Sequence, residues 1–382
     1  MLPLRVTSKP LAAKLFKYQR GASSLSLRSI ALQSGAPYRY SNMEKLQSLT
    51  LSDLQKVANI PPKYLKPLAA VGGLWAAYQL SSLTSFTWYH FLRPKTLNKY
   101  KKGGKGGEPW ALVTGSTDGI GLGFAEELAQ QGFNIVLHGR NEEKLQGVRD
   151  TLQAQWPARK FKIIILDAVR DAGDSAKIEA VVAELKSLNV KVLINNVGGG
   201  AGAKPTLQRF NTFTPELIDG WIDVNLRFPT HFTRQMLPQL IANQPALIVN
   251  IGSGASEISS PFLAVYSGAK AYNKAWSRSL AVELKDQGHD IDCQAVVVGQ
   301  VATSRMKVDT STTVPDVRTF ARSALGYAGA GKKVVVSHWG HEFLFWTMSL
   351  MPEWVGENFV RTISKQIMMK EEKDAAEEAK KQ

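Results

Sequence analysis

Between about residue 108 and residue 305, short apolar runs alternate with amphipathic stretches. Apolar runs bounded by turn residues predict buried strands, and apolar positions at helical spacing predict helices. Strands that alternate with helices in this way form a parallel sheet. The pattern therefore predicts a doubly wound, Rossmann-like α/β fold, with strands at residues 110–113, 134–139, 162–166, 190–196, 246–253 and 290–299.

A longer apolar stretch precedes this region. Residues 68–92 contain no Asp, Glu, Lys or Arg and are bounded by Lys66 and Arg93. A helix of this length can cross the hydrocarbon core of a bilayer, so the stretch predicts a transmembrane helix. Its Ser and Gln content leaves a buried or interfacial helix open as the alternative.

Basic residues are more numerous after this stretch than before it. Three lysines precede it, at positions 56, 63 and 66. The positive-inside bias therefore predicts that everything after residue 93 faces the cytosol, beginning with a basic linker at 93–107. The basic residues of that linker are Arg93, Lys95, Lys99, Lys101, Lys102 and Lys105.

The amino-terminal segment has an unusual composition. Residues 1–42 are rich in Arg and Ser and contain no acidic residue, a composition typical of mitochondrial targeting segments. Residues 43–67 form an amino-terminal flank before the apolar stretch. Because Met43 follows at once, an upstream extension before the usual start is an equally open interpretation. Seven basic residues of this segment contribute to the net charge of +15, so the basic excess is partly a property of the tail.

The number of cysteines limits which covalent crosslinks and metal sites this chain can form. Cys293 is the only cysteine, which excludes an intrachain disulfide and a cysteine-based metal cluster. Its neighbours form an apolar run, so we expect a buried thiol. No His or carboxylate cluster with ligand spacing accompanies it, and we expect no metal site.

A glycine-rich turn follows the first strand. The stretch TGSTDGIG, residues 114–121, lies between an apolar run and a helical pattern. Glycines at such a turn let backbone amides approach a pyrophosphate at a helix amino terminus, where the helix dipole favours anionic oxygens. Strand, glycine turn, helix and strand together predict a dinucleotide-binding half.

Polar residues stand where later strands end. Ligands of doubly wound sheets bind outside the carboxyl ends of the strands. Asn195, Ser253 and Gly299 fall at such ends. Tyr266 and Lys270 are four residues apart in a helical stretch, so both lie on one face of the helix and reach the same ligand.

Taken in order, these motifs resemble those of the short-chain dehydrogenase/reductase family over residues 108–305. The glycine motif matches TGSTDGIG, the Asn-Asn-x-Gly motif matches NNVG at 195–198, and the Tyr-x-x-x-Lys motif matches YSGAK at 266–270. The resemblance implies that Tyr266 donates the proton in carbonyl reduction, that Lys270 lowers the pKa of the phenol and holds the nicotinamide ribose, and that Ser253 binds the substrate carbonyl. It also implies that Asn225 holds a water that connects Lys270 to solvent.

The resemblance assigns a nicotinamide cofactor as well. After the second strand this chain has Arg140 where NAD enzymes usually carry an acid, and a guanidinium there pairs with a 2′-phosphate, so NADPH is favoured. Asp118 lies where many NADP-preferring relatives carry a basic residue, and Asp167 matches the adenine-contacting aspartate. The expected cofactor-binding residues are Thr114, Gly115, Ser116, Asp118, Gly119, Ile120, Gly121, Arg140, Asp167, Asn195, Tyr266, Lys270, Val301 and Thr303.

Together with the predicted membrane helix, the motifs resemble the branch of the family that contains 3-oxoacyl-CoA reductases of fatty-acid elongation and 17β-hydroxysteroid dehydrogenases. This implies NADPH-dependent reduction of 3-oxoacyl-CoA in a single-pass protein of the endoplasmic reticulum membrane, with an acyl-CoA substrate, a lipid bilayer and other elongation enzymes as partners and no nucleic acid. A ketosteroid reductase and a catalytically silent, membrane-tethered scaffold are the alternatives. Val298 and Gly299 replace the Pro-Gly of most members, which leaves the substrate loop open.

The carboxyl-terminal piece, 341–382, follows a catalytic domain expected at 108–340. Residues 341–360 are rich in Phe, Trp and Met but are interrupted by Pro352, Glu353 and Glu357. This composition predicts an interfacial element beside the bilayer or, equally, a core helix that closes the substrate pocket. A charged, solvated helix then ends the chain. Import into mitochondria, directed by residues 1–42, is the competing location.

Overall fold

Seven parallel strands form one sheet in the order β3-β2-β1-β4-β5-β6-β7. The computed structural model describes residues 62–104, 106–200, 206–304, 306 and 308–379. The chain forms two units, Met1–Leu80 and Ser81–Gln382, and the sheet belongs to the second. The strands are β1 Pro109–Val113, β2 Asn134–Gly139, β3 Phe161–Ile165, β4 Asn189–Asn195, β5 Ala246–Ile251, β6 Ile291–Val296 and β7 Val334–Val335. The predicted doubly wound parallel sheet is confirmed.

Helices connect successive strands of the sheet, and further helices precede β1 and follow β7. They are α1 Pro62–Thr87, α2 Gly119–Gln130, α3 Glu142–Gln155, α4 Ser175–Ala183, α5 Pro215–Ile222, α6 Phe228–Ala242, α7 Ala264–Asp286, α8 Val317–Gly326, α9 Trp339–Ser349 and α10 Glu353–Ala379. Asn141, Asp174 and Asp316 each accept a hydrogen bond from a backbone amide in the first turn of the helix that follows. Such caps satisfy amides that have no partner within the helix.

Two apolar layers cover the two faces of the sheet. Successive side chains of a strand point to opposite faces, so Ala111 and Val113 join one layer while Trp110 and Leu112 join the other. A strand buried on both faces must be apolar throughout, which explains the unbroken apolar runs of the sequence. The single cysteine, Cys293, is buried in the second layer, as expected.

The strand order changes direction beside β1. β1 pairs with β2 on one side and with β4 on the other, so the connections run to opposite sides at this point. A doubly wound sheet opens a crevice at the carboxyl ends of the strands where this happens. The glycine turn after β1 and the segments after β4, β5 and β6 therefore come together there.

The predicted transmembrane helix is corrected by the structure. Residues 68–87 lie in α1, which is followed by a short π-helical turn, Trp88–Leu92. Across the described ranges, no helix is both long enough and apolar enough to cross a membrane. Gly72, Gly73 and the polar residues between Gln79 and Thr87 lower the mean hydropathy of the segment, although it carries no formal charge.

The carboxyl-terminal piece forms two helices with a break at Pro352. α9 ends at Ser349 and α10 begins at Glu353, because proline provides no amide to continue the helical hydrogen bonds. α10 continues through the charged stretch to Ala379. The predicted segment 1–42 and most of the flank 43–67 lie outside the described residues.

Candidate active site

A cleft of about 420 Å³ opens at the carboxyl edge of the sheet. It receives the glycine turn after β1, the segments after β4, β5 and β6, and the first turns of α7. Its lining includes eight of the expected cofactor residues, namely Gly115, Asp118, Gly119, Ile120, Tyr266, Lys270, Val301 and Thr303. Ser253 also lines it, so the proton donor, its partners and the glycine turn face one space.

The glycine turn is shaped for close backbone approach. Gly115 has a φ of +65°, and a methyl group on Gly121 would lie 2.1 Å from the carbonyl oxygen of Gly115. Only glycine at position 121 allows α2 to start so close to the end of β1. Asp118 caps α2 by accepting a hydrogen bond from the amide of Gly119 at 2.6 Å. The positive end of α2 thus faces the cleft, which fits the phosphates of a dinucleotide.

Three of the expected cofactor residues lie behind the lining. The buried Thr114 hydroxyl accepts hydrogen bonds from the amides of Asn196 and Val197, at 2.9 and 3.1 Å. The hydroxyl of Ser116 accepts the amide of His138 at 3.0 Å. With Gly121, these residues hold the turn in place and do not line the cleft.

Asn195 is placed differently from the expectation. Its side-chain amide donates to Thr233 and Asn250, both at 2.7 Å, and it is buried below the cleft. Asn196 lines the cleft instead, and its side-chain amide donates to the carbonyl oxygens of Thr114 and Gly115. Asn195 is the last residue of β4, and successive side chains diverge at a strand end, so only one of the two asparagines reaches the cleft.

Arg140 and Asp167 lie at the ends of the next two strands. Arg140 directly follows β2, Asp167 lies two residues after β3, and their side chains approach to 3.8 Å. Asp167 also accepts the amide of Val169 at 2.9 Å, so it closes its own loop. The Arg140 guanidinium is largely exposed and is free to turn toward an anionic group.

The catalytic candidates come from β5 and α7. Ser253 follows β5, and its hydroxyl accepts the amide of Ala255 at 3.2 Å and hydrogen-bonds Tyr266. Lys270 is 4% exposed, and its ammonium donates to the carbonyl of Ile251 at 2.9 Å. The ammonium lies 5.6 Å from the centre of the Tyr266 ring. The structure thus brings together the three residues that the sequence joined only by spacing.

Burial governs the electrostatics of this group. It raises the pKa of Tyr266, and the hydrogen bond from Ser253 lowers it by less. Burial lowers the pKa of Lys270 to about 8. Lys270 is not among the causes of the Tyr266 shift, and its ammonium is held at the Ile251 carbonyl. The lowering of the phenol pKa by the ammonium together with the oxidised nicotinamide stays a prediction.

Asn225 sits in an irregular helical turn between α5 and α6. Residues Asp223–Arg227 form a π-helical segment, a distortion that is common at functional sites. The buried Asn225 side chain accepts the amide of Gly199 at 3.0 Å and donates to its carbonyl at 2.8 Å. Gly199 lines the cleft, so Asn225 fixes the backbone there. Its predicted role in holding a water stays a prediction.

His138, which the sequence identified only as a packing or surface group, supports the glycine turn. Nδ1 of His138 accepts the amide of Gly115 at 3.2 Å, and the buried ring stacks on Phe228 at 5.2 Å. Burial lowers the pKa of His138 to about 4, so the ring is neutral and can accept this bond. The position of His138 near the end of β2, beside the turn after β1, could have indicated this contact, but a single histidine matches no sequence motif.

The arrangement can transfer a proton to a carbonyl oxygen. Tyr266 supplies a hydroxyl beside a second hydroxyl from Ser253, and Lys270 places a positive charge within the same enclosed space. In the described part of the chain, no group of His, Cys, Asp and Glu side chains could hold a metal ion. The cleft, the glycine turn and the helix terminus fit a nicotinamide dinucleotide that would be held by Gly115, Gly119, Ile120 and Lys270.

Known proteins resemble this chain closely. The family model for short chain dehydrogenase matches residues 109–314. A very-long-chain 3-oxoacyl-CoA reductase of Neurospora crassa is 34% identical over 81% of this chain and 91% of its own length. A human protein named inactive hydroxysteroid dehydrogenase-like protein 1 is 31% identical over 76% of this chain and 88% of its own.

A solved structure of a short-chain dehydrogenase shares the fold of this chain. A short-chain dehydrogenase from Sphingobium yanoikuyae, in complex with NADPH, has a TM-score of 0.51 and 26% identity, over 64% of this chain and 97% of that one. The glycine turn, the strand-end serine and the tyrosine–lysine pair occupy one cleft of a parallel sheet in this chain. The chain therefore belongs to the short-chain dehydrogenase/reductase family of oxidoreductases, which use a nicotinamide cofactor.

Proposed function

We propose that this protein reduces long- and very-long-chain 3-oxoacyl-CoA to 3-hydroxyacyl-CoA with NADPH, the reductive step of fatty-acid elongation. The observation that carries the proposal is the assembly of Ser253, Tyr266 and Lys270 in one cleft with the glycine turn. Relatives named for this reaction, 34% identical over about four fifths of the chain, support the choice of substrate.

The residues divide the reaction between them. The hydroxyl of Ser253 donates a hydrogen bond to the 3-oxo oxygen and stabilises the negative charge that develops on it. When bound, the cofactor supplies the hydride that adds to C3. Tyr266 donates its phenolic proton to the oxygen, so the carbonyl becomes an alcohol. The Lys270 charge stabilises the phenolate that remains until a proton from solvent replaces the lost one.

A second cavity offers room for a large substrate. It measures about 740 Å³ and lies between residues 255–261, the start of α7 and α10. Ala264 and Ser267, on either side of Tyr266 in the sequence, line it. Trp354 supplies apolar surface, and Arg361 supplies a cation suited to a phosphate of CoA. Glu257 and Glu357 line the cavity as well, so its volume and the Trp354 side chain support a long apolar chain, whereas an anionic head is favoured only beside Arg361.

The substrate assignment predicts a preference that kinetics can measure. With NADPH, we expect kcat/KM for a long-chain 3-oxoacyl-CoA to exceed that for a ketosteroid by at least about 100-fold, because a pocket built for one shape and charge binds the other poorly. Both substrates are measured in one preparation. A preference for the steroid would instead support the hydroxysteroid dehydrogenase alternative. NADPH binding without reduction of either substrate would support a silent scaffold, as the name of the human relative suggests.

We base the choice of NADPH on Arg140. The side chain is exposed at the end of β2, and no acidic residue precedes Glu142 there to bind a ribose hydroxyl. A guanidinium can pair with the 2′-phosphate that NADPH has and NADH lacks. The 3.8 Å approach to Asp167 leaves this pairing available, because a long, exposed ion pair contributes little.

Replacing Arg140 separates the two cofactors. We expect Arg140→Ala to raise KM for NADPH by about 10-fold or more, the effect of losing one charge-assisted hydrogen bond, and to leave KM for NADH nearly unchanged. Arg149→Ala is the matched control, since Arg149 is an exposed arginine of α3 paired with Asp150. Equal losses for both cofactors would remove the basis for NADPH.

A further inference from the structure

The segment after β6 forms part of the cleft wall. Val298, Gly299, Val301 and Thr303 line the same cleft as Tyr266 and Lys270. Val298 leaves the backbone free of the ring constraint that a proline would impose. The conformation of its first residues therefore depends on contacts with other segments, such as the hydrogen bond from the amide of Gly254 to the carbonyl of Val298 at 2.7 Å.

His341, in the first turn of α9, meets this segment directly. Its ring is fully buried. Nδ1 accepts the amide of Gly299 at 3.2 Å, and Nε2 donates to the carbonyl of Gln300 at 2.9 Å. One acceptor and one donor fit a neutral imidazole with its proton on Nε2, and burial lowers the pKa of His341, which favours the neutral ring. The backbone of Thr313 also hydrogen-bonds the ring. Both nitrogens are used by backbone groups, so His341 is not a proton donor for substrate.

The His341 ring is tightly packed against its neighbours. A methyl group on Gly299 would lie 2.7 Å from the His341 ring, so the backbone passes as close to the imidazole as glycine permits. The ring of Phe320, in α8, also packs against the His341 ring, and the two ring centroids are 6.0 Å apart. A rigid ring that bonds two successive residues fixes the orientation of both peptide groups, which a single hydrogen bond would not do.

We propose that His341 is a positioning residue of the reductase site, which holds Gly299 and Gln300 so that Val301 and Thr303 form the cofactor-facing wall. The inference rests on the proposed function for its kinetic consequences but not for cofactor binding. Release of the two hydrogen bonds leaves the segment with several conformations, of which a fraction accepts the cofactor. Cofactor affinity and hydride transfer then fall together.

Three variants of His341 separate the two hydrogen bonds. His341→Phe keeps a ring and loses both bonds. His341→Asn places an oxygen near the Nδ1 position and retains the acceptor for Gly299, whereas His341→Gln places its amide near Nε2 and retains the donor to Gln300. His338→Phe is the matched control, because His338 is also buried at the start of α9, 5.0 Å from the His341 ring, and its Nδ1 has no partner.

The readouts are the dissociation constant for NADPH without substrate, kcat, KM and the free energy of unfolding. We expect His341→Phe to weaken NADPH binding by about 10-fold or more and to lower kcat. His341→Asn and His341→Gln should have NADPH affinities and kcat values between those of His341→Phe and wild type. His338→Phe should change stability but leave the folded protein with wild-type binding and kcat. If His341→Phe does not fold, the Asn and Gln variants decide.

The inference is overturned if folded His341 variants bind NADPH and turn over as the wild type does, or if they lose only stability, as His338→Phe should. Because NADPH binding is measured without substrate, this outcome is distinct from failure of the proposed function. If the proposed function fails, the wild-type protein binds NADPH but reduces no 3-oxoacyl-CoA.

Discussion

Tyr266→Phe is expected to lower kcat for carbonyl reduction by at least about 1,000-fold, because it removes the only hydroxyl of the residue that protonates the substrate oxygen. The ring remains, with its edge-to-face contact to Trp221 at 5.9 Å, so the fold and the cofactor site should persist. Turnover and NADPH binding are measured on the same preparation. Wild-type NADPH affinity with almost no turnover is the expected pair of results.

Tyr272→Phe provides the matched control. Tyr272 lies on the same helix, its hydroxyl contacts Thr230 at 3.1 Å and its ring stacks on Trp276, away from the cleft. The same chemical change there should leave kcat within a few-fold of wild type. If Tyr266→Phe also stays within a few-fold, Tyr266 is not the proton donor and the mechanism is wrong.

Lys270→Met is expected to abolish most of the activity while it stabilises the protein. Activity falls because the charge that favours the phenolate is lost and because no ammonium remains to hold the cofactor ribose. Stability rises because burial lowers the pKa of Lys270 to about 8, so at pH 7 folding must bury a charge that the unfolded chain leaves in water. A gain of about 1–3 kcal/mol at pH 7, without cofactor, follows from a shift of this size.

The stability gain should depend on pH with a definite sign. The folded-state pKa of Lys270 lies below the ordinary lysine value of 10.5, so the penalty is complete below about pH 8 and is relieved as the pH rises toward 10.5. Chemical unfolding of both proteins at several pH values measures the difference, which should shrink over this interval. Lys285→Met, an exposed position of α7, should show neither effect. A destabilised Lys270→Met protein at pH 7 would show that its bond to Ile251 outweighs the burial penalty.

The sequence predicted the sheet because the strands are buried on both faces. Positions such as Leu112 and Val113 must both be apolar, which makes a strand visible as an unbroken run. The sequence also predicted the approach of Ser253, Tyr266 and Lys270, since strand ends and helical spacing place residues without knowledge of packing. The two-residue strand β7 was not predicted, because so short a run has no pattern.

Contacts between distant segments were not predictable. Asn195 and Asn196 are chemically identical, and only the direction of each side chain at the end of β4 separates the cleft residue from the buried one. His341 lies 42 positions from Gly299, and no spacing rule connects them. The prediction of a transmembrane helix at 68–92 was wrong because the small and polar residues of this uncharged segment lower its mean hydropathy. The predicted endoplasmic reticulum location stays a prediction.

Hydride transfer from labelled cofactor tests directly whether this protein reduces a 3-oxoacyl-CoA with NADPH. The protein is incubated with a long-chain 3-oxoacyl-CoA and NADPH that carries deuterium at the transferable position of its nicotinamide ring, and the product is analysed by mass spectrometry. We expect a 3-hydroxyacyl-CoA with one deuterium on C3, formed by wild type and by Tyr272→Phe but not by Tyr266→Phe. A product without deuterium, or equal product from Tyr266→Phe, would contradict this expectation.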